Sequence, residues 1–393
     1  MNSLLQLLAS FGTILQGRLF PALESQLGTL SPYHERLVAV LAMLGMENVV
    51  EVRSGRGRRS HDRINIARAF VAKAVFQFPT TRALLNRLAC DAALRRLCGW
   101  ETAAAVPDET VFSRAFARMA ATRFPQKVHE KLIQRTQSQR LVGHIARDMT
   151  DQPLRLRLVG HIARDSSAIE TREKVQSKPK AAGPAPKSRP NRSGKPRPWE
   201  KMTRVERQSS GRMTLEQMLA DLPQACDAGC KNNSRGDKST WVGYKLHLDV
   251  ADGQIPISCV LTSASVHDSQ AAVPLALMSA ERVISLYDLM DSAYDSFHLR
   301  EHSRSLGHVP VIEPQKRGKN FVPLSPHQRV RFRERTMVER VFSRLKDEFG
   351  GRCVRVRGAA KVMAHLTFGL LALTADQILR LGAVALSMPA PSS

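Results

Sequence analysis

WVGYKLHLDVADGQIPISCVLT, residues 241–262, is the stretch that decides the fold class. From Trp241 to Val250 apolar side chains recur at every second position, the period of a strand with one buried face. Asp252-Gly253 supplies a tight hairpin turn, and Ile255–Thr262 returns as a second strand. Downstream, Val266-His267-Asp268-Ser269 reads as the cap of a helix reaching about Ala280. Val283–Met290 reads as a buried strand ending at Asp291, a helix follows from about Phe297, and His308–Ile312 is a further strand. A hairpin followed by strand-helix alternation predicts an α+β or mixed fold, its mixed sheet covered by helices on both faces.

Beyond that sheet lies FRERTMVERVFSRLK, from Phe332 to Lys346. At about 100° per residue Val338, Val341, Phe342, Leu345 and Phe349 form one apolar arc. Arg335, Glu339 and Lys346 fall together along one edge of it. Such a helix packs on a core while an Arg, a carboxylate and a Lys emerge at the rim, a suitable setting for a cation-binding carboxylate flanked by phosphate-gripping cations. A plain amphipathic helix with a solvated charged face has the same pattern.

Upstream of the sheet the pattern is helical. Residues 1–50 read as two helices broken near Pro21 and Ser31-Pro32; the uncharged start, MNSLLQLLASFGTILQG, lacks the basic region of a secretory signal. Arg53–Arg59, RSGRGRR, is a Gly-spaced basic run in which Arg56, Arg58 and Arg59 fit a flexible arm on DNA, or equally a solvated loop. Between Ile64 and Thr136, Pro79-Thr80-Thr81 starts a helix, Cys98-Gly99-Trp100 stops the next, and Pro107-Asp108 caps a third. The apolar run Val362–Val384 is interrupted by His365, Asp376, Gln377 and Arg380, so it reads as a core helix and not a membrane span.

Lys and Arg total 59 against 35 acids, a formal charge of +24, which points to a polyanionic partner, nucleic acid first. Six cysteines show neither disulfide-dense nor zinc-finger spacing, so Cys226-x3-Cys230 reads as reduced thiols of a cytosolic protein. Residues 171–212 carry thirteen Lys/Arg, three Glu and six Pro, a composition expected to stay disordered and to hold phosphates. The nonapeptide RLVGHIARD occurs twice, at Arg140–Asp148 and Arg157–Asp165, offset by seventeen residues. Two short copies make a local tandem duplication and not a solenoid.

The spacing Arg335-x3-Glu339-x6-Lys346 resembles the signature of bacterial insertion-sequence transposases of the DDE type, which reads Tyr-x2-Arg-x3-Glu-x6-Lys in the fourth insertion-sequence family; Phe332 stands at the Tyr position. The likeness runs from about Asp62 to Leu381. Asp291 opens Asp-Ser-Ala-Tyr294, close to the family's Asp-x-Gly/Ala-Tyr, and only the second nonapeptide continues as SSAIETREK in the family manner. Leu158–Ile169 is therefore the expected first catalytic strand, with Asp148 a decoy. The resemblance implies an N-terminal all-helical domain that binds DNA, then an RNase H-like catalytic domain. The expected boundaries are 1–136 helical, 137–170 duplicated strand region, 171–212 basic segment, 213–385 with 157–170 catalytic, and 386–393 tail.

It further implies that Asp165, Asp291 and Glu339 are the catalytic, metal-holding triad. Two Mg²⁺ ions, with Mn²⁺ able to substitute, would serve as cofactors for cleavage and strand transfer. Arg335 and Lys346 would grip phosphates, and Arg114, Arg118 and Arg123 would face terminal-repeat DNA, or else be surface arginines of a plain bundle. Implied partners are double-stranded transposon-end and target DNA and further copies of the chain, with no membrane, in a bacterial cytoplasm at the nucleoid. Asp288 and Asp295 read as turn or cap residues, Glu170 and Asp268 as acids behind the triad or surface charges, His247 and His267 as structural residues before ligands, and Trp241 as core before a base-stacking platform. Arg352, Arg355 and Arg357 suggest a basic edge. Two other functions fit: an RNase H-like nuclease without strand transfer, and a non-catalytic DNA-binding relic, for which the duplication and Phe332 speak.

Overall fold

A computed structural model of the chain describes residues 29–49, 63–137, 160–175, 199–232, 237–315 and 321–387. The helix expected before Pro21, the arginines Arg56, Arg58 and Arg59, and the first nonapeptide with Asp148 lie outside the described residues.

Among the described residues six helices come first: α1 (Pro32–Leu44), α2 (Arg63–Val75), α3 (Thr81–Cys90), α4 (Ala92–Leu97), α5 (Glu109–Ala121) and α6 (Phe124–Gln137). Their starts follow side-chain capping, in which a short polar side chain satisfies a first-turn N–H. Thr80 Oγ1 accepts from Ala83 N at 3.0 Å, Asp91 Oδ1 from Leu94 N at 2.9 Å, and Asp108 Oδ1 from Thr110 and Val111 N at 2.9 and 3.0 Å. The mixed region follows: β1 (His161–Glu170), α7 (Arg204–Ser209), α8 (Leu215–Asp221), β2 (Asp227–Asn232), β3 (Lys238–Ala251), β4 (Ile255–Ser263), α9 (Ala272–Ala280), β5 (Tyr287–Met290), α10 (Phe297–Ser305), β6 (Val309–Ile312) and α11 (Pro326–Phe332). Then come α12 (Thr336–Glu348) and the long α13 (Ala359–Ser387).

The described residues fall into two compact units, those within 1–138, 253–255 and 340–393 in one and those within 139–252 and 256–339 in the other. In the first, α13 is the central helix. Leu366, Phe368, Leu370, Leu371 and Leu373 are all buried, and Phe368 meets Phe70 of α2 at 5.5 Å between ring centroids. The stretch Ala359–Gly382 is long and apolar enough to cross a membrane, yet 83% of its apolar window is buried, as expected of a core helix. Packing thus gathers residues 340–387 with the N-terminal helices, although in sequence they continue the region after the sheet.

Near its C-terminal half α13 carries a charged knot. Asp376 accepts from Arg36 Nε at 2.8 Å and Arg344 Nη2 at 2.6 Å and pairs with Arg380 Nε at 2.9 Å, and Glu348 accepts from Arg36 Nη2 at 3.0 Å and Arg344 Nε at 3.1 Å. Removing the acid from such a half-buried knot strands the cations, so Asp376→Ala should cost about 3 kcal/mol in chemical unfolding. Burial opposes charge on Asp376, but the arginines outweigh it and hold its pKa below the usual 3.8. Its contribution is therefore complete above about pH 4 and disappears as pH falls further through the lowered value. Wild type and variant should converge in stability on acidification.

In the second unit the sheet order is β2-β3-β1-β5-β6, with β4 also paired to β3. β1 runs antiparallel to β3 and parallel to β5, and β5 parallel to β6, so the sheet is mixed as expected. Gly243 sits where β1 and β2 both meet β3; at φ +150 a Cβ there would strike the Ile169 carbonyl oxygen. One face is closed by Met218 of α8, Ala272 and Val273 of α9 and Leu299 of α10 against Met290 and Ile312. On the alternate positions Arg331 of α11 covers the Tyr287 ring, 4.0 Å from its centroid.

Three expectations change. Residues 199–212, expected to be disordered, fold: Thr203 and Glu206 form a capping box, and Arg204 Nε reaches Asp221 at 2.7 Å. Positive charge did not prevent folding there because Arg204 and Arg207 both pair with Asp221 and Val205 packs against the core under β5 and β6. β2 was not foreseen; it is a polar edge strand with Gly229 beneath the Trp241 ring. The strand expected over 283–290 is regular only from Tyr287, Ile284 being half exposed.

Candidate active site

Asp165 and Asp291 reach the site from neighbouring parallel strands. Arg164 pairs with Met290, so the residue after each, Asp165 and Asp291, leaves the two strands at matching levels. Asp165 lies within β1, half-buried, with its carboxylate accepting from Ser166 N at 2.7 Å and from Arg335 Nη1 at 3.0 Å. Asp291 directly follows β5 and caps a short 3₁₀ turn, Ser292–Tyr294, by accepting from Ala293 N at 3.0 Å. Glu339 is exposed on the first turn of α12 and accepts from Arg335 Nη2 at 2.6 Å.

One guanidinium therefore bridges two members of the expected triad, and the charge of the third is close enough to act on the first. Burial pushes the Asp165 pKa up to about 6, and the neighbouring Asp291 carboxylate adds to the rise against Arg335 and Lys231. Asp291 is raised for the same leading reason. Arg335, expected to hold substrate phosphate, is here an internal counter-ion. Lys346 comes two turns beyond Glu339 on α12 and is half-buried. Arg114, Arg118 and Arg123 are exposed on and just after α5. Phe332 ends α11, with the Arg335 guanidinium 5.6 Å from its ring centroid.

Several neighbours carry roles that the sequence left open. Asp268 is no helix cap: the turn it opens has no side-chain cap, and its carboxylate accepts from Lys245 Nζ at 3.0 Å. It lies close enough to Asp291 to raise that residue's pKa, making it a fourth acid at the site. Asp288 is neither turn nor cap but buried in β5, accepting from Ser303 Oγ at 2.5 Å and facing His308 Nδ1 at 3.2 Å. Asp295 accepts from Arg300 Nη2 at 2.8 Å and from Gln315 N at 3.0 Å, tying α10 to the segment after β6. His247 is buried with Nε2 2.8 Å from Thr262 Oγ1, and burial drives its pKa down to about 4, so it is a neutral core residue. His267 is exposed and meets Ser269 Oγ at 2.8 Å. Trp241 is core, its Nε1 donating to Tyr244 O at 3.1 Å. Glu170 is exposed at the end of β1. Arg355 and Arg357 are exposed, while Arg352 pairs with Asp347.

The donor set suits a hard divalent cation, since carboxylate oxygens are its preferred ligands. A second observation agrees. Tyr294, fully buried, has a hydroxyl with no hydrogen-bond partner, set among the charges of Asp268, Asp165 and Asp291. Among the described residues no three acidic, His or Cys side chains yet form a group able to hold a metal ion, and Cys226 and Cys230 are free thiols. Arg335 stands between two of the candidate ligands.

Residues 204–375 match the transposase DDE domain, and residues 27–118 match a second transposase domain, DUF772. Asp291 and Glu339 fall inside the first match; Asp165 and the duplication fall between the two. No curated protein and no solved structure matches the chain. The chain thus carries two successive transposase domains, a helical one and an RNase H-like DDE one that holds Asp291 and Glu339, the pairing typical of insertion-sequence transposases of the fourth and fifth families.

Proposed function

We propose that the chain cuts DNA at the ends of its own element and joins the freed 3′ ends to target DNA, with Asp165, Asp291 and Glu339 holding divalent metal, Mg²⁺ by preference. The observation that carries this is the single Arg335 guanidinium shared by Asp165 and Glu339 beside the charge of Asp291. When bound, the metal supplies an activated oxygen nucleophile and neutralises charge building on the phosphate. The chain's residues do the rest. The carboxylates orient the site, and Arg335, released from them, turns its fork to a phosphate oxygen next to the scissile bond. Lys346 adds a point charge on the same helix. In this reading residues 1–136 with Arg114 and Arg118 take the terminal repeats, and 157–170 with 213–385 do the chemistry. Copies of the chain hold two ends together.

The test is incubation of the purified protein with its element's terminal DNA and a target plasmid, with Mg²⁺, with Mn²⁺ and with chelator. Metal-dependent 3′-hydroxyl ends followed by joined products support the proposal. Cleavage without joining would make the chain a nuclease, and binding without cleavage would make it a DNA-binding relic.

Asp165 gives a pH signature. Its raised pKa means that a proton occupies the cation-free site below about pH 6. Apparent Mg²⁺ affinity by calorimetry should therefore be flat above pH 7 and fall about tenfold per unit below pH 6. The same shift makes ionised Asp165 a destabilising group, present above pH 6 and relieved on acidification, opposite in sign to Asp376.

A further inference from the structure

Directly before Asp165 lies an arginine that the chemistry above does not use. Arg164 is 3% exposed and Asp249, its partner across β1 and β3, is fully buried. The pair is bidentate, Nε to Oδ1 at 2.7 Å and Nη2 to Oδ2 at 2.8 Å. Ser279 Oγ of α9 donates to the same Asp249 Oδ2 at 2.7 Å. The remaining nitrogen, Nη1, lies 3.4 Å from Met290 Sδ on β5, and the buried Asp288 carboxylate also faces the guanidinium.

A buried ion pair is a poor way to gain stability, because desolvation offsets most of the attraction. It is an effective way to choose one arrangement, since any other leaves a charge buried without its partner. Here the arrangement chosen is a strand register. Successive strand side chains point to opposite faces, so Arg164 enters the helix-covered face while Asp165 turns to the site. A one-residue slip of β1 would withdraw the guanidinium from Asp249 and turn Asp165 inward. The third nitrogen extends this hold to β5 at Met290, the residue before Asp291.

We infer that Arg164 is a positioning residue, whose fork on Asp249 and contact with Met290 fix Asp165 and Asp291 at the separation that cation binding requires. The inference rests on the proposed metal-dependent cleavage. A small misplacement of reacting groups costs about a hundredfold in rate.

Two variants test it, each measured for thermal midpoint, for Mg²⁺ binding by calorimetry and for end cleavage. In the double variant Arg164→Met/Asp249→Leu apolar groups of similar size replace the pair, so the fold is kept. It should unfold within a few degrees of wild type, yet bind Mg²⁺ about tenfold more weakly and cut about a hundredfold more slowly. Arg164→Lys keeps the charge and loses the fork, and should fall between wild type and the double variant in both readouts. If either variant folds with wild-type Mg²⁺ affinity and rate, Arg164 is structural only and the inference is overturned. A double variant that fails to fold leaves Arg164→Lys to decide. A wild type without metal-dependent cleavage would instead remove the proposed function, an outcome distinct from both.

Discussion

Asp165→Ala should abolish end cleavage, lowering the rate by about a thousandfold or more, while Asp148→Ala should leave it near wild type. The two aspartates end identical nonapeptides, so sequence around them up to that point offers no reason for the difference. The sheet supplies one. Ile169 is 1% exposed and Glu170 pairs with Gly243 in β3. With the first copy in the same register, Gln152 would occupy the Ile169 position and Pro153 the Glu170 position. The first puts an amide into an apolar site, and the second brings a residue without an N–H to the ladder. Glu339→Ala and Asp291→Ala should be as inactive as Asp165→Ala, with circular dichroism spectra unchanged. Cleavage that survives Asp165→Ala and fails in Asp148→Ala would put the wrong copy in the site.

Arg335→Gln should change two measurements in opposite directions. Wild-type Arg335 neutralises Asp165 and Glu339, so an incoming cation competes with it. Without the guanidinium, Mg²⁺ binding at pH 8 should tighten about tenfold, consistent with loss of one charge-assisted pair. Cleavage should nevertheless fall by about a hundredfold, because the phosphate loses its fork. Calorimetry and a cleavage assay on the same preparation separate the two effects. If Mg²⁺ binding weakens along with cleavage, Arg335 supports the acids instead of competing for them.

Local patterns in the sequence were reliable guides, and contacts between distant residues were not. The hairpin at 252–253 and the buried arc of Val338, Val341, Phe342, Leu345 and Phe349 follow from periods of two and 3.6 and are present as expected. The Arg335–Glu339 pair is an i,i+4 contact visible in the spacing, whereas its second contact, to Asp165, spans 170 residues. Lys245 beside Asp268 and Arg164 on Asp249 are likewise products of register. Asp288 was misread because β5 is only four residues long, too short for its alternation to show that it points inward. In residues 199–212 composition argued for disorder, and a capping box with one apolar anchor was enough to fold them.

The position of β1 between β3 and β5 also sets a timetable for synthesis. Its pairing residues in β3 come about 85 residues later and those in β5 about 126 later, as the Arg164 contacts with Asp249 and Met290 record. At typical translation speeds the first interval lasts roughly 4–17 s, long beside the microseconds of hairpin closure. The central strand of the catalytic sheet is thus made early and completed late. During that wait the nascent chain carries two copies of the same strand-forming nonapeptide, each able to seek a strand partner in another chain. Yield of soluble protein should therefore depend on chaperone supply more strongly than the finished fold would indicate, and deleting residues 140–156 should relieve that dependence while leaving β1 and its register intact.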